Sequence, residues 1–250
     1  MDLALNGRIA LVTGATSGVG REIALGLAAE GARVALNYRT SADAAQGLVE
    51  EIAANGGDAK AYRADVADFG AVKSMTDEIA EDFGGLNILI NNAGTAIRRS
   101  FVETKPEDWR RQIDACLYGA IHCCHAAAPY IESGKSGRIV GVVGDSSRVG
   151  ESGLAIVAAA RAGVIALMKS LAREFARSGT TANTVSLGLV ETAHDAQWVA
   201  ANREKLIRLY PLRRLGLAGD VAPMVTLLAS PRAGWITGQV ISISGGFSMV

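Results

Sequence analysis

The stretch Arg8-Ile-Ala-Leu-Val-Thr13-Gly14-Ala-Thr-Ser17-Gly18-Val19-Gly20-Arg-Glu-Ile23-Ala24 decides how the rest of the chain is read. Ile9 to Val12 is a short apolar run of the kind that forms a strand buried on both faces of a parallel sheet. It breaks into a turn carrying Gly14, Gly18 and Gly20. A run with helical spacing follows through Ile23, Leu25 and Leu27 and stops at Gly31. A second strand is predicted over 32–38. Strand, glycine turn, helix and strand open a nucleotide-binding crossover: the turn lets a backbone approach a pyrophosphate, and the helix start offers free N–H groups and the positive end of its dipole.

Composition narrows the class. With 250 residues the chain fits one α/β domain, and a formal net charge of zero gives no electrostatic reason to bind nucleic acid or an anionic membrane. Met1 to Gly7 is short and polar, and no apolar run reaches the roughly 18 residues of a membrane span, so a soluble cytoplasmic protein is expected. Cys116, Cys123 and Cys124 fall on one predicted helix and form no disulfide framework.

Downstream, helices are predicted over 41–55, 68–83, 106–130, 151–177 and 220–229. Strands are predicted over 59–64, 86–90, 138–143, 181–186 and 239–243. The run His122-Cys123-Cys124-His125 invites a metal reading, but neighbours on a helix point about 100° apart, so the four side chains cannot close on one ion and no metal is expected. The second strand ends Asn37-Tyr38-Arg39, with no acid for a ribose 2′-hydroxyl, and Arg39 leans towards NADP.

The spacing Thr13-Gly14-x-x-x-Gly18-x-Gly20 and the element Asn91-Asn92-Ala93-Gly94 resemble the short-chain dehydrogenase/reductase family over nearly the whole chain. The resemblance implies a Rossmann-like, doubly wound parallel sheet of about seven strands in a single domain over 1–250, with a substrate lid around 188–210. It implies NAD or NADP as cofactor. The binding residues would be Thr13, Gly14, Ser17, Gly18, Val19, Gly20, Asn37, Arg39, Asp65, Val66, Asn92, Ala93 and Gly94, with Asp65 and Val66 at the adenine.

The family's reaction centre is a Tyr-x-x-x-Lys pair, a serine thirteen residues before the tyrosine, and an asparagine on the preceding helix. Positions i and i+4 share a helix face, so the ammonium stabilises the phenolate that moves the substrate proton. Aligned through Ala158-Ala159-Ala160 and Ala162-Gly163, the tyrosine is Val157, the lysine Arg161, the serine Gly144 and the asparagine Cys116. No catalytic residue is therefore assigned. Tyr118, Asp145, Ser146 and Ser147 are the neighbours within reach for a rescue.

Two classes of function follow. In the first, the chain is a non-catalytic subunit of a heteromeric enzyme, a tetramer with a homologous active subunit, packed through the helices at 106–130 and 151–177. The segment Asp145-Ser146-Ser147-Arg148-Val149-Gly150-Glu151-Ser152-Gly153 resembles a loop in dehydrogenases of hydroxyacyl-CoA thioesters, the hydroxybenzylsuccinyl-CoA dehydrogenase type of anaerobic aromatic degradation, where one subunit is inactive. In the second class, the chain is an active oxidoreductase with a rebuilt, atypical site. A dinucleotide sensor is a third possibility.

Overall fold

The computed structural model describes residues 2–134, 136–192 and 196–250. Seven parallel strands form one sheet: β1 (Ile9–Val12), β2 (Arg33–Tyr38), β3 (Asp58–Arg63), β4 (Ile88–Asn91), β5 (Arg138–Gly144), β6 (Thr181–Leu187) and β7 (Val240–Ile243), in the order β3-β2-β1-β4-β5-β6-β7. The order reverses between β1 and β4, which pair directly through Ala10–Ile88, Leu11–Leu89 and Val12–Ile90. A crevice opens outside the carboxyl ends of strands at such a reversal.

Strand alternation explains the two layers of core. Ala10, Val12, Val34 and Leu36 point to one face and pack with α1 (Gly18–Ala29), α2 (Ala42–Ala54) and α9 (Ala218–Ala229). Ile9, Leu11 and Ala35 point to the other face and pack with α3 (Phe69–Phe83), α5 (Gly119–Ser133) and α7 (Ala155–Glu174). Both faces are covered, so β1 is apolar at every position, as the opening stretch predicts, and β4 is apolar up to Asn91.

Several elements depart from the sequence reading. The helix expected over 106–130 is α4 (Pro106–Ile113), a π turn (Asp114–Tyr118) and α5. The Gly119 N–H bonds to Asp114 O across the wide turn. A β-carbon at Gly119 would lie 2.8 Å from Val66 Cγ2, so glycine lets the helix close on the loop after β3. The helix expected from residue 151 starts at Ala155, because Gly150 and Gly153 take positive φ of 75° and 82° and break the chain into a turn. A short helix, α6 (Ser146–Val149), precedes that turn.

The 20-residue α7 contains an 18-residue window of mean hydropathy 1.7, so by length and composition alone it is apolar enough to cross a membrane, where the sequence reading expected no such run. Val157, Ala160, Val164, Met168 and Ala172 bury one stripe of α7, while Ala155, Ala159 and Ala166 are exposed. Of the segment expected as a lid, 193–195 lies outside the described residues; α8 (Ala196–Ile207) belongs to it. Trp198 on α8 lies under the Arg98 guanidinium, 4.7 Å from ring centre to charge, and Arg98 also pairs with Glu151 at 2.7 Å.

Candidate functional site

The glycine turn is built by the chain's own polar groups. Gly14 takes φ +62°, a left-handed value that favours glycine. A β-carbon at Gly20 would run into Gly14 O and lie 2.5 Å from Asn92 Nδ2. The Asn92 amide donates to Thr13 O at 2.9 Å and to Gly14 O at 3.2 Å. The Thr13 hydroxyl donates to Ile90 O and accepts from the N–H groups of Asn92 and Ala93, both at 3.0 Å. The ends of β1 and β4 are thereby tied across the switch point.

Beyond this turn α1 starts at Gly18. Neither the Ser17 side chain nor any acid in the first turn occupies its N–H groups. They face a cleft of about 520 Å³. The cleft gathers Gly14, Ser17, Gly18, Val19, Gly20, Asn37, Arg39, Asp65, Val66, Asn92, Ala93 and Gly94 from four strand ends. It also takes in Thr16, Tyr38, Thr40, Ser41 and Thr192, which the sequence reading did not name. Tyr38, Thr40 and Ser41 flank the named Arg39, and that adjacency is the signal that could have found them.

Two assigned residues play other parts. Thr13 is fully buried under the cleft and braces the turn rather than lining the space. Asn37 borders the cleft, yet both ends of its amide are spent inward: Oδ1 accepts from Gly14 N at 3.3 Å and Nδ2 donates to Ala64 O at 3.1 Å. Arg39, just past β2, forms an exposed ion pair at 3.6 Å with Asp65 from beyond β3. The pairing is not legible from β2 alone, because the partner is 26 residues further along the sequence.

At the inner end the family's four reactive positions form a different surface. Val157 is fully buried and joins Cys116 and Ala160 in a small apolar cluster with Ile113, Leu117 and Leu154. The π turn carries Cys116, whose thiol donates to Thr95 O at 3.3 Å. Gly144 ends β5 with no side chain. Arg161 reaches from α7 between Gly94 and Gly144: a β-carbon at Gly144 would lie 3.1 Å from its Nη1, and one at Gly94 would lie 3.7 Å from its Nη2.

Of the four rescue candidates, three are placed elsewhere. Tyr118 is half exposed beside His122, ring centres 6.0 Å apart, and lies outside the cleft, since residues two apart on a helix point to opposite sides and Cys116 takes the inward one. Asp145 is buried and turned towards the sheet, its carboxylate accepting from Ser186 Oγ at 2.5 Å and Ser242 Oγ at 2.7 Å. The Ser147 hydroxyl donates back to Gly144 O at 2.6 Å. Only Ser146 stays near, with Oγ 3.4 Å from the place of a β-carbon on Gly144. Arg148 is half-buried and borders a separate open recess with Lys169 and Val250.

The His-Cys-Cys-His run disperses as helical spacing requires. His122 Nδ1 meets Val66 O at 2.9 Å, and His125 packs on the edge of Phe69. Cys123 and Cys124 are buried in the core. Burial pushes both thiols up, Cys124 to about 12, against a smaller opposing effect of the amide that Asn91 donates to its sulfur at 3.2 Å. Among the described residues no group of three or more His, Cys, Asp or Glu is placed to hold a metal.

The cleft fits a nicotinamide dinucleotide. The α1 N–H groups are uncapped and border the cleft, and Arg39 stands at its far end. Comparison with known proteins gives the family. Residues 14–248 match the family model described as enoyl-(acyl carrier protein) reductase. The 3-oxoacyl-(acyl-carrier-protein) reductase FabG of Staphylococcus aureus is 41% identical over 240 residues, covering 96% of this chain and 98% of that protein. The enzyme of that name from Escherichia coli is 37% identical over 98% of each. A solved dehydrogenase/reductase from Sinorhizobium meliloti superposes with a TM-score of 0.93 at 32% identity, over 99% of this chain and 98% of that one. With a sheet of the same class and relatives matched from end to end, the chain belongs to the short-chain dehydrogenase/reductase family.

Proposed function

We propose that this chain is a non-catalytic subunit of an NAD(P)-dependent oxidoreductase, supporting a homologous subunit that carries the reaction. The observation behind this reading is the inner end of the cleft, where Val157, Cys116, Gly144 and Arg161 provide no hydroxyl on a helix face beside a lysine. When bound, the dinucleotide supplies a hydride donor or acceptor. The chain's own residues hold the pyrophosphate at the α1 N-terminus and the adenosine beside Asp65 and Val66. At the family positions Val157 has no ionisable group, Gly144 has no side chain, Cys116 is buried with its thiol donated to Thr95 O, and the Arg161 guanidinium stays charged near neutrality. Losing a general acid costs roughly 10²–10⁴-fold in rate.

The finer assignment rests on the resemblance of residues 145–153 to the loop of hydroxyacyl-CoA dehydrogenases acting in anaerobic aromatic degradation. In this reading the sister subunit oxidises a 3-hydroxyacyl-CoA such as (hydroxybenzyl)succinyl-CoA. The segment around 188–210 acts as a lid, and the exposed faces of α5 and α7 meet their mates in a heterotetramer.

A second reading, an active reductase with a rebuilt site, is favoured by the likeness to proteins named as reductases at 41% and 37% identity. Its residues would be Ser146 and Arg161. One experiment separates the two. NAD⁺ and NADP⁺ are titrated calorimetrically into the chain alone, and turnover is assayed alone and after mixing with the candidate sister subunit. The subunit reading expects binding without turnover alone and activity in the mixture that Arg161→Ala in this chain leaves intact. Turnover by the chain alone, abolished by that change, establishes the second reading instead.

A further inference from the structure

A second cavity lies behind the part of the cleft wall formed by Gly188 and Val190, which border both spaces. It holds about 220 Å³ between the strap after β6, the segment 210–216 that follows α8, the start of α9 and the turn after β7. Backbone bonds tie these walls to one another. The Gly188 N–H donates to Ile243 O at 3.1 Å, the Gly216 N–H to Leu189 O at 3.0 Å and the Leu212 N–H to Gly245 O at 3.2 Å. The space is therefore pre-formed. Val190, Leu215, Val221 and Ile243 supply its apolar lining, with Leu215 and Val221 buried. The polar lining is of two kinds. Tyr210 is 5% exposed, and its hydroxyl accepts the Leu189 N–H at 2.8 Å, so its own proton is the part it offers to the cavity. Arg214 and Asp220 are closed on each other by two bonds, at 2.5 and 2.8 Å, and bring no net charge.

We infer that this cavity is a second binding site, for a small neutral ring compound carrying one hydroxyl or carbonyl oxygen. An apolar cavity of about 150 Å³ already admits benzene, so the volume here takes a six-membered ring with a substituent. The self-paired Arg214 and Asp220 give no reason to take up an ion, whereas the Tyr210 proton rewards an oxygen acceptor. Leu212 and Arg214 are exposed, so the cavity opens to the surface beside them and is filled without passing through the cleft. An occupant touches the same strap that walls the dinucleotide space. The inference concerns binding alone and holds whether the chain is a subunit or an enzyme.

The test is titration of 4-fluorophenol, and separately of fluorobenzene, into the full chain, followed by fluorine NMR. Saturable binding at one site is expected, with a dissociation constant on the order of 1 mM, as suits so few atoms. Val221→Phe, from α9, and Ile243→Phe, from β7, fill the space and should each weaken 4-fluorophenol at least tenfold. Melting curves certify each fold; Val221 is fully buried and Ile243 only half-buried, so the second variant carries the test if the first does not fold. Tyr210→Phe should lower the affinity ratio of 4-fluorophenol to fluorobenzene severalfold. A general loosening of the fold would weaken both probes alike and leave that ratio unchanged. Absence of saturable binding, binding that Ile243→Phe leaves intact, or an unchanged ratio in Tyr210→Phe overturns the inference. No readout uses a dinucleotide or turnover, so failure here is distinguishable from failure of the subunit reading.

Discussion

At the scale of single residues, the cleft is held open by a few side chains with every polar atom engaged. Thr13 is the clearest. Its hydroxyl accepts two backbone N–H groups at the end of β4 from a buried position. Thr13→Val keeps the shape and strands both donors, at roughly 1–3 kcal/mol for each unpaired group. Urea denaturation should place the variant at least 2 kcal/mol below the parent, and an unchanged midpoint would show that the tie between β1 and β4 carries no stability. The sequence made the type and spacing of Gly14, Gly20 and Asn92 legible. It could not tell that Asn37 spends its amide on Gly14 and Ala64, because that choice depends on where two neighbouring strands end. For the same reason Tyr118 and Asp145 looked usable: distance along the chain is short, but Tyr118 leaves its helix on the side away from Cys116 and Asp145 is bonded to Ser186 and Ser242.

At the scale of elements, the starts of helices carry the local electrostatics. Asp220, in the first turn of α9, receives both guanidinium nitrogens of Arg214, at 2.5 and 2.8 Å, and the Leu217 N–H at 2.8 Å. Arg214, more than the backbone donor, draws the Asp220 carboxyl down to about 2. A carboxylate whose pKa is lower folded than unfolded stabilises the fold above its unfolded value, near 3.8, and that contribution is lost as pH falls through about 2. Thermal melting of wild type and Asp220→Asn should therefore differ at pH 6 and converge between pH 4 and 2; a constant gap would assign the effect to something other than charge. Periodicity found nearly all the helices and strands, since apolar stripes on α1, α3 and β1 survive any packing. It missed the π turn and the late start of α7. Both are set by close approaches and positive φ at Gly119, Gly150 and Gly153, which leave no mark on hydrophobic spacing.

At the scale of the whole molecule, one helix stands out. The apolar α7 buries only the stripe from Val157 to Ala172 against its own sheet and leaves Ala155, Ala159 and Ala166 outside. Small exposed residues in a row suit close approach by another helix, which is what the subunit reading requires. Ala159→Glu should then lower the mass measured by light scattering after mixing with the sister subunit, while the monomer's melting point moves by less than about 0.5 kcal/mol equivalent, as surface changes usually do. An assembly unaffected by the glutamate would move the interface elsewhere.

The glycine turn has a last consequence. Thr13, Asn37 and Asn92 lock it from within, and its glycines are demanded by the chain's own backbone and amides at 2.5 to 3.3 Å. A lineage that ceased to use a nucleotide would still be selected against changing Gly14 or Gly20, since the offspring would misfold before they misbound. The signature by which such chains are recognised thus records what the fold needs, and it outlives the trade it was first kept for.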